Sequence, residues 1–463
     1  MKKSFFLPAI LTIAACGVFS PFAWSGSPPA EEPVKLTVRA DRPLLNHADG
    51  PQEVIVRIDV EGCHPAPRAE RNPLNLSIVL DRSGSMRGAK LEQARQAAEM
   101  LVERLGPDDI FSLVIYDTEV EVLVPPQRVG RNTDHIRREI RRIEAGGSTA
   151  LYAGVETGGR QLAEFFDDER INRVILLSDG IANVGPSSNR EIAQLGQSLA
   201  RQGRSVTTVG LGDDYNEDLM TALAEASDAN YYYVADVEAL PGVFENELGE
   251  LQSVIARRLE LEITFPDGVE PLEILGRPET IEHRRGKIRF GTLAAEQSRE
   301  IYVACRVDPG FAKDDAKPVV QARLAYADAE NREMKTEREA SVKSVDDAGL
   351  AAKSQVADIT ARAEIYRNAA ATERTLALAD AGNGVEAKSA ITQQIGRLRS
   401  AQTAAPAQAA AEIQREIEVL EKTQSELKED GLSKEGRKSL QWNLFNRRNA
   451  KTLDQTQKGS DGR

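Results

Sequence analysis

The feature that most constrains this chain is the run Leu74-Asn75-Leu76-Ser77-Ile78-Val79-Leu80, followed at once by Asp81-Arg82-Ser83-Gly84-Ser85-Met86. A short run this rich in branched apolar side chains reads as a strand buried on both faces, the situation of a parallel sheet covered by helices. The strand ends in a carboxylate and two hydroxyls on a loop, and Arg87-Gly88 leads into a helical pattern. Hard oxygen donors at the C-terminal end of a buried strand suit a small divalent cation.

The same strand-then-helix rhythm runs through residues 73–256. Strands are predicted at 75–80, 110–116, 120–124, 172–178, 205–210 and 230–234, and helices near 88–105, 133–143, 151–165, 190–202, 216–226 and 237–256. Alternation of this kind gives an α/β fold with a doubly wound, mostly parallel, Rossmann-like sheet. The flanks differ. Residues 34–72, with Lys35-Leu36-Thr37-Val38-Arg39 and Val54-Ile55-Val56-Arg57-Ile58-Asp59-Val60, alternate polar and apolar side chains, and so do residues 257–345. That pattern suits half-buried antiparallel strands, so the two flanks are expected to complete one β-sandwich with the α/β unit inserted in it.

From 346 to 430 the chain is rich in Ala, Gln and charge. Ile391, Ile395 and Leu398, then Ile413, Ile417, Leu420 and Leu427, recur at helical spacing, which predicts a helical hairpin or short coiled coil. Between Ser433 and Arg463 eight Lys/Arg stand against three Asp/Glu, so 431–463 reads as a basic, partly disordered, solvated tail.

The start of the chain reads as an export signal over residues 1–25, with Lys2-Lys3 before the apolar stretch Phe5 to Ala15, then a Ser/Pro/Glu-rich linker over 26–33. Two processing sites stay open. Ile13-Ala14-Ala15-Cys16 resembles a lipobox, which would leave a lipid on Cys16 as the one membrane attachment, and Ala23-Trp24-Ser25 offers small residues for ordinary cleavage. The expected location is the periplasm or cell envelope. Cys63 and Cys305 then remain, either paired in that oxidising compartment or standing as separate buried thiols. A formal net charge of −13 argues against a general nucleic-acid binder, whose footprint would be a basic face.

Two more segments join the opening motif: Gly146-Gly147-Ser148-Thr149, a flexible loop carrying a hydroxyl, and Val174-Ile175-Leu176-Leu177-Ser178-Asp179-Gly180, a second buried strand ending in a carboxylate. The C-terminal strand ends of a doubly wound sheet line one crevice, so Asp81, Ser83, Ser85, Thr149 and Asp179 can converge there. These three segments resemble the metal-ion-dependent adhesion site of the von Willebrand factor A domain, in its exported bacterial form. The resemblance implies that the Ser83 and Ser85 hydroxyls, with Thr149 in one state, ligate Mg²⁺ (Mn²⁺ or Ca²⁺ as alternatives), while Asp81 and Asp179 hold it directly or through water. It also implies a partner protein that offers an acidic side chain to the ion. The helix expected at 237–256, striped with Val237, Leu240, Val243, Phe244, Leu248 and Leu251, would on the same resemblance slide when ligand binds; the alternative is a fixed core helix.

No Gly-x-Ser-x-Gly, P-loop, zinc-type Cys/His cluster or dinucleotide fingerprint occurs. The expectation is therefore a non-enzymatic protein binding a protein ligand through a divalent cation, for adhesion, envelope assembly or scaffolding. Two alternatives remain: a structural envelope protein with an idle metal site, and a hydrolase in which two carboxylates and a metal activate water.

Overall fold

The run at 74–80 becomes the inside of a six-stranded sheet. The computed structural model describes residues 32–63, 71–429 and 431–449. Three strands come first: β1 (Val34–Ala40), β2 (Leu44–Asn46) and β3 (Gln52–Gly62). Then β4 (Leu74–Asp81), β5 (Ile110–Tyr116), β6 (Val120–Arg128), β7 (Ile171–Ser178), β8 (Ser205–Leu211) and β9 (Tyr231–Val234) form one sheet in the order β6-β5-β4-β7-β8-β9. All pairings in it are parallel except β5 with β6. Every residue of β4, β5 and β7 is buried, as two-sided covering demands.

Six helices supply that cover: α1 (Ala89–Arg104), α2 (Thr133–Arg141), α3 (Leu151–Ala163), α4 (Asn189–Arg201), α5 (Glu217–Ala226) and α6 (Leu240–Gln252). α1, α2 and α6 pack on one face, and α3, α4 and α5 on the other. Strand order advances one way from β4 to β5 and the other way from β7 to β9, so the order reverses between β4 and β7. In open α/β sheets that reversal opens the crevice where ligands bind.

After α6 the chain returns to strands: β10 (Val254–Thr264), β11 (Val269–Ile274), β12 (Arg285–Ala294), β13 (Ser298–Val307), β14 (Lys317–Asp328) and β15 (Glu333–Val345). They combine with the early strands into two sheets, β1-β3-β13-β11 and β12-β10-β14-β15-β2, which share one core that includes Val56, Ile58, Leu261, Ile263, Val303 and Leu324. β3 runs antiparallel to β13 from Gln52 against Val307 to Glu61 against Ser298, so strands from either side of the α/β unit lie side by side.

Five helices close the described chain: α7 (Ala348–Lys353), α8 (Ala357–Asp380), α9 (Gly384–Ala404), α10 (Ala407–Glu426) and α11 (Lys434–Arg448). α8, α9 and α10 bury a common core of Ile365, Ile391, Ile395, Ile413, Ile417 and Leu420, a three-helix unit where the sequence suggested a hairpin. The other face of α8 covers the sandwich through Ile359, Ala363 and Tyr366 against Ile55, Leu275 and Tyr302. Among the described residues no helix is long and apolar enough to cross a membrane.

Three sequence expectations need correction. The helix expected over 237–256 is a short 3₁₀ turn at Val237–Ala239 followed by α6, which stops at Gln252; Val254-Ile255 already belong to β10, where branched side chains fit an extended backbone better than a helix. Residues 434–448 of the supposed tail are an ordered helix, because Leu440, Leu444 and Phe445 supply an apolar stripe that its charge obscures. The rest of that tail, 450–463, and the export signal, lipobox and most of the linker, 1–31, lie outside the described residues. The option of a Cys63–Cys305 bond is ruled out by register. Cys305 stands opposite Val54, and Cys63 follows the far end of β3, nine residues on. At 3.3 Å per residue that is about 30 Å, whereas a disulfide needs Cα atoms within about 7 Å.

The fixed-helix reading of α6 gains a specific anchor. Glu247, 1% exposed, accepts hydrogen bonds from Thr207 Oγ1 at 2.6 Å, Asn230 Nδ2 at 2.7 Å and the Tyr232 hydroxyl at 3.0 Å, with Arg173 Nη1 at 3.7 Å. This buried carboxylate rivets the C-terminal half of α6 to β7, β8 and β9.

Two outcomes follow from this architecture. Glu247→Ala leaves the buried Arg173 guanidinium without a counter-charge and should cost about 3 kcal/mol, read as a lower urea midpoint; an unchanged midpoint would remove the rivet from the account. Expressed alone, residues 254–345 lack β3, so β13 presents an open apolar edge. That fragment should show no cooperative thermal transition, and a sharp melt would contradict the interleaved sandwich.

Candidate functional site

The five residues singled out by sequence gather at one end of the sheet, at the reversal between β4 and β7. Asp81 ends β4 and is fully buried. Its Oδ1 accepts the Ser83 amide at 2.8 Å and its Oδ2 accepts the Ser178 hydroxyl at 2.7 Å, with the Tyr116 hydroxyl at 3.5 Å. Burial pushes the Asp81 carboxyl up to about 6, against the pull of the Ser83 and Ser178 hydrogen bonds. The Ser83 and Ser85 hydroxyls lie 3.1 Å apart, and Ser85 Oγ donates to Asp179 Oδ1 at 2.7 Å. Asp179 follows β7 directly and is as buried as Asp81.

Thr149 arrives from the loop before α3, 4% exposed. Two loops hold it. Its amide donates to Asn183 Oδ1 at 2.9 Å, while the Ala150 amide donates to the Asp117 carbonyl at 2.8 Å and the Ser148 amide to Thr118 Oγ1 at 2.9 Å. The glycines before it have a reason. Gly147 sits at φ +73, where a Cβ would fall 2.8 Å from the Asp117 carboxyl carbon. Gly146 donates to the Arg82 carbonyl and Gly84 to the Gly147 carbonyl, at 2.8 and 3.1 Å, stitching this loop to the one after β4.

Gly180 locates the centre of the cluster. A Cβ placed on it would lie 3.1 Å from Thr149 Oγ1, 3.5 Å from Ser85 Oγ and 3.7 Å from Ser83 Oγ, so three hydroxyls from two segments surround one small space beside the third.

Residues 75–246 match the family model described as the von Willebrand factor type A domain. This part of the chain is a von Willebrand factor A domain. The chain is 29% identical over 248 residues to an uncharacterized protein of Synechocystis, covering 51% of this chain and 58% of that one. It is 26% identical over 240 residues to the uncharacterized protein YfbK of Escherichia coli, covering 51% of this chain and 41% of the relative. The chain thus spans about half the length of these curated relatives. Among solved structures, a von Willebrand factor type A protein from Catenulispora acidiphila superposes with a TM-score of 0.67 at 17% identity, over 90% of this chain and 97% of that one. That likeness extends the shared fold beyond the A domain. Domains of this type commonly mediate protein–protein interactions and typically bind a divalent metal.

Four supporting residues of the A domain site escaped the sequence reading. Lys90, in the first turn of α1, donates to Asp179 Oδ2 at 2.6 Å and balances part of the local negative charge. Ser178 and Tyr116 hold Asp81, and Asn183 holds Thr149. Only Ser178, beside Asp179, was adjacent to a motif; the others meet the site through the fold. Asp213 accepts a hydrogen bond from the Tyr233 hydroxyl, and Asp214 accepts one from Lys434 of α11. Tyr231 packs edge-on against Phe445 and shares a hydrogen bond with Tyr215, as core packing rather than a recognition platform.

Gly180→Ala tests the small space directly. Its methyl would enter the hydroxyl cradle while the backbone, which is not in the left-handed region, tolerates Ala. The variant should melt within about 2 °C of wild type and lose any Mn²⁺-induced rise in Tm; an undiminished rise would move cation binding elsewhere.

Proposed function

We propose that the A domain binds Mg²⁺ through Asp81, Ser83, Ser85, Thr149 and Asp179, and that the bound ion recognises a carboxylate on a partner protein. The observation that carries this is the donor set. Two carboxylates and three hydroxyls meet at one point, while among the described residues no group of three or more His, Cys, Asp or Glu is arranged to hold a metal ion. Such a set suits a hard cation rather than zinc. The spacing agrees. Adjacent ligands of an octahedral ion at about 2.1 Å stand about 3.0 Å apart, close to the 3.1 Å between Ser83 Oγ and Ser85 Oγ and the 2.7 Å from Ser85 Oγ to Asp179 Oδ1.

When bound, the ion would supply an electrophilic coordination position open to an external carboxylate. The protein residues tune that position. Neutral hydroxyls leave the ion's charge largely unquenched, and Lys90 on the outer oxygen of Asp179 reduces the charge that carboxylate can lend it. Ser178, Tyr116 and the Ser83 amide fix Asp81 so that the Ser83-to-Ser85 turn needs no rearrangement to present its hydroxyls. We read the whole as a non-enzymatic adhesion, assembly or scaffolding protein of the bacterial envelope. Export rests on Lys2-Lys3 and the apolar stretch that follows, with a lipid on Cys16 as the one route to a membrane.

Calorimetry tests the ion, and peptide arrays test the ligand. Wild type should bind Mg²⁺ at millimolar concentration or tighter, and Thr149→Ala and Ser85→Ala should each weaken binding about tenfold. Arrayed acidic peptides should be bound in Mg²⁺ and released by EDTA. No heat of Mg²⁺ or Mn²⁺ binding would end the metal reading; ion binding without any EDTA-sensitive peptide would end the carboxylate-ligand reading alone.

A further inference from the structure

At the opposite end of the A domain sheet, where β7 and β8 begin, a cavity of about 350 Å³ opens between the domain and strands β10 and β12 of the sandwich. That volume falls within the range of small-molecule sites, roughly 300–1,000 Å³. Its lining is unusual for a chain of net negative charge. Six arginines face it, Arg170, Arg173, Arg201, Arg257, Arg258 and Arg289, against the carboxylates Asp168, Asp228 and Glu260.

The charges do not cancel locally. Glu260 is already paired with Lys287 and Arg289, Arg258 pairs with Glu333, and Arg173 has Glu247 as its buried counter-charge. Arg170 donates to the carbonyls of Leu74 and Asp108, and Arg257 to those of Asp168, Asp328 and Ala329. Among the described residues no carboxylate forms an ion pair with Arg170, Arg201 or Arg257. Arg173 and Arg257 are 3% and 6% exposed, and the buried Nε–H of each has no acceptor. Burial, and then the neighbouring Arg258, hold the Arg257 guanidinium below its ordinary range against the pull of Asp168, Glu169 and Asp328. The hydroxyl-bearing Ser205 and Ser227 of the A domain and Thr292 of β12 line it as well.

We propose that this cavity binds a small ligand bearing a phosphate or carboxylate group, gripped by the guanidinium groups at the base of the A domain. A planar guanidinium matches either oxyanion with paired hydrogen bonds, and several around one cavity favour a multiply charged ligand. The ligand would touch both the A domain, through Arg170, Arg173 and Arg201, and the sandwich, through Arg257, Arg258 and Arg289. Its occupancy would therefore stiffen the junction between them. The site is separate from the proposed cation site and stands or falls independently of it.

The test uses the full chain in EDTA, which silences the cation site, with pyrophosphate and citrate as probes and sodium chloride matched for ionic strength. At millimolar probe, one or both should give a binding isotherm and raise Tm by about 2 °C. Arg201→Gln/Arg289→Gln should keep its far-UV circular dichroism and bind about tenfold or more weakly. Arg306→Gln, on the other sheet of the sandwich and paired with Glu270, should bind as wild type does. Should the double variant fold poorly, the exposed Arg201→Gln alone carries the comparison. Preference for pyrophosphate assigns a phosphate ligand, and preference for citrate a polycarboxylate. Absence of binding by both probes, or undiminished binding by the folded variant, overturns the proposal.

Discussion

The structure depends on one topological constraint: the A domain enters from β3 and leaves into β10, and both strands belong to the same sandwich. Its base is therefore fixed at two points of covalent chain, and polar contacts reinforce them. Asn72 donates to the Val254 carbonyl at 2.5 Å, and Arg257 of β10 donates to the Asp168 carbonyl at 2.5 Å. Val254 itself packs in the core of the A domain, while Leu259, Leu261 and Ile263 of the same strand pack in the sandwich. A single strand thus serves two cores, and the strand ends bearing Asp81 and Asp179 point to the side away from this junction.

A second set of buried charges joins the sandwich to the C-terminal helices. Arg57 on β3 bonds Asp59 at 2.6 Å, Glu300 of β13 at 3.0 Å and Asp358 of α8 at 3.0 Å. Arg362 of α8 continues the chain to Glu412 of α10, and Glu416 beside it accepts from Asn368 and Arg447. Replacing such buried ions with apolar groups is often neutral or stabilising, whereas removing one partner is costly. They account for one fixed arrangement of helices on sheet better than for net stability. α11 completes the wrap. Arg437 bonds Glu217 and Asp218 of the A domain and Asp380 of α8, and Lys438 bonds Glu217, so that despite its burial the Glu217 carboxyl is held below its ordinary range.

What the sequence disclosed and what it hid divide by range. The residues of the proposed cation site sit in contiguous motifs, four of them at the ends of β4 and β7 and Thr149 on the loop before α3, and a doubly wound sheet brings those segments together, so the convergence of Asp81, Ser83, Ser85, Thr149 and Asp179 was legible before any coordinates. Lys90, Tyr116 and Asn183 were not, because each meets the site only through a fold-dependent approach. Glu247 stands beside the apolar stripe of α6, and nothing local announces that Thr207, Asn230 and Tyr232 converge on it. α11 was misread because its charged residues outnumber its apolar ones, and the partners of Arg437 and Lys438 lie more than fifty positions away in the chain. The run Ile301-Tyr302-Val303-Ala304-Cys305 held a clue that was passed over: all five are buried, since α8 covers the sandwich face that simple alternation leaves wet.

The two ends of the A domain sheet carry opposite chemistry, and the fold itself favours that division. α1, α3, α4 and α5 each begin at the C-terminal ends of the strands and finish at their N-terminal ends. Helix N-termini carry partial positive charge and C-termini partial negative charge, worth about 0.3–1 kcal/mol per neighbouring ion. Buried carboxylates are thereby easier to hold at the Asp81–Asp179 end, where the first turns of α1 and α3 lie. Guanidinium groups are easier to hold at the other, where Arg201 closes the last turn of α4. Glu247 and Arg173 bind α6 to the sheet at the basic end. Any displacement of α6 driven from the acidic end has to break those buried bonds first. Arg173 thus belongs both to the rivet that holds α6 and to the wall of the arginine cavity.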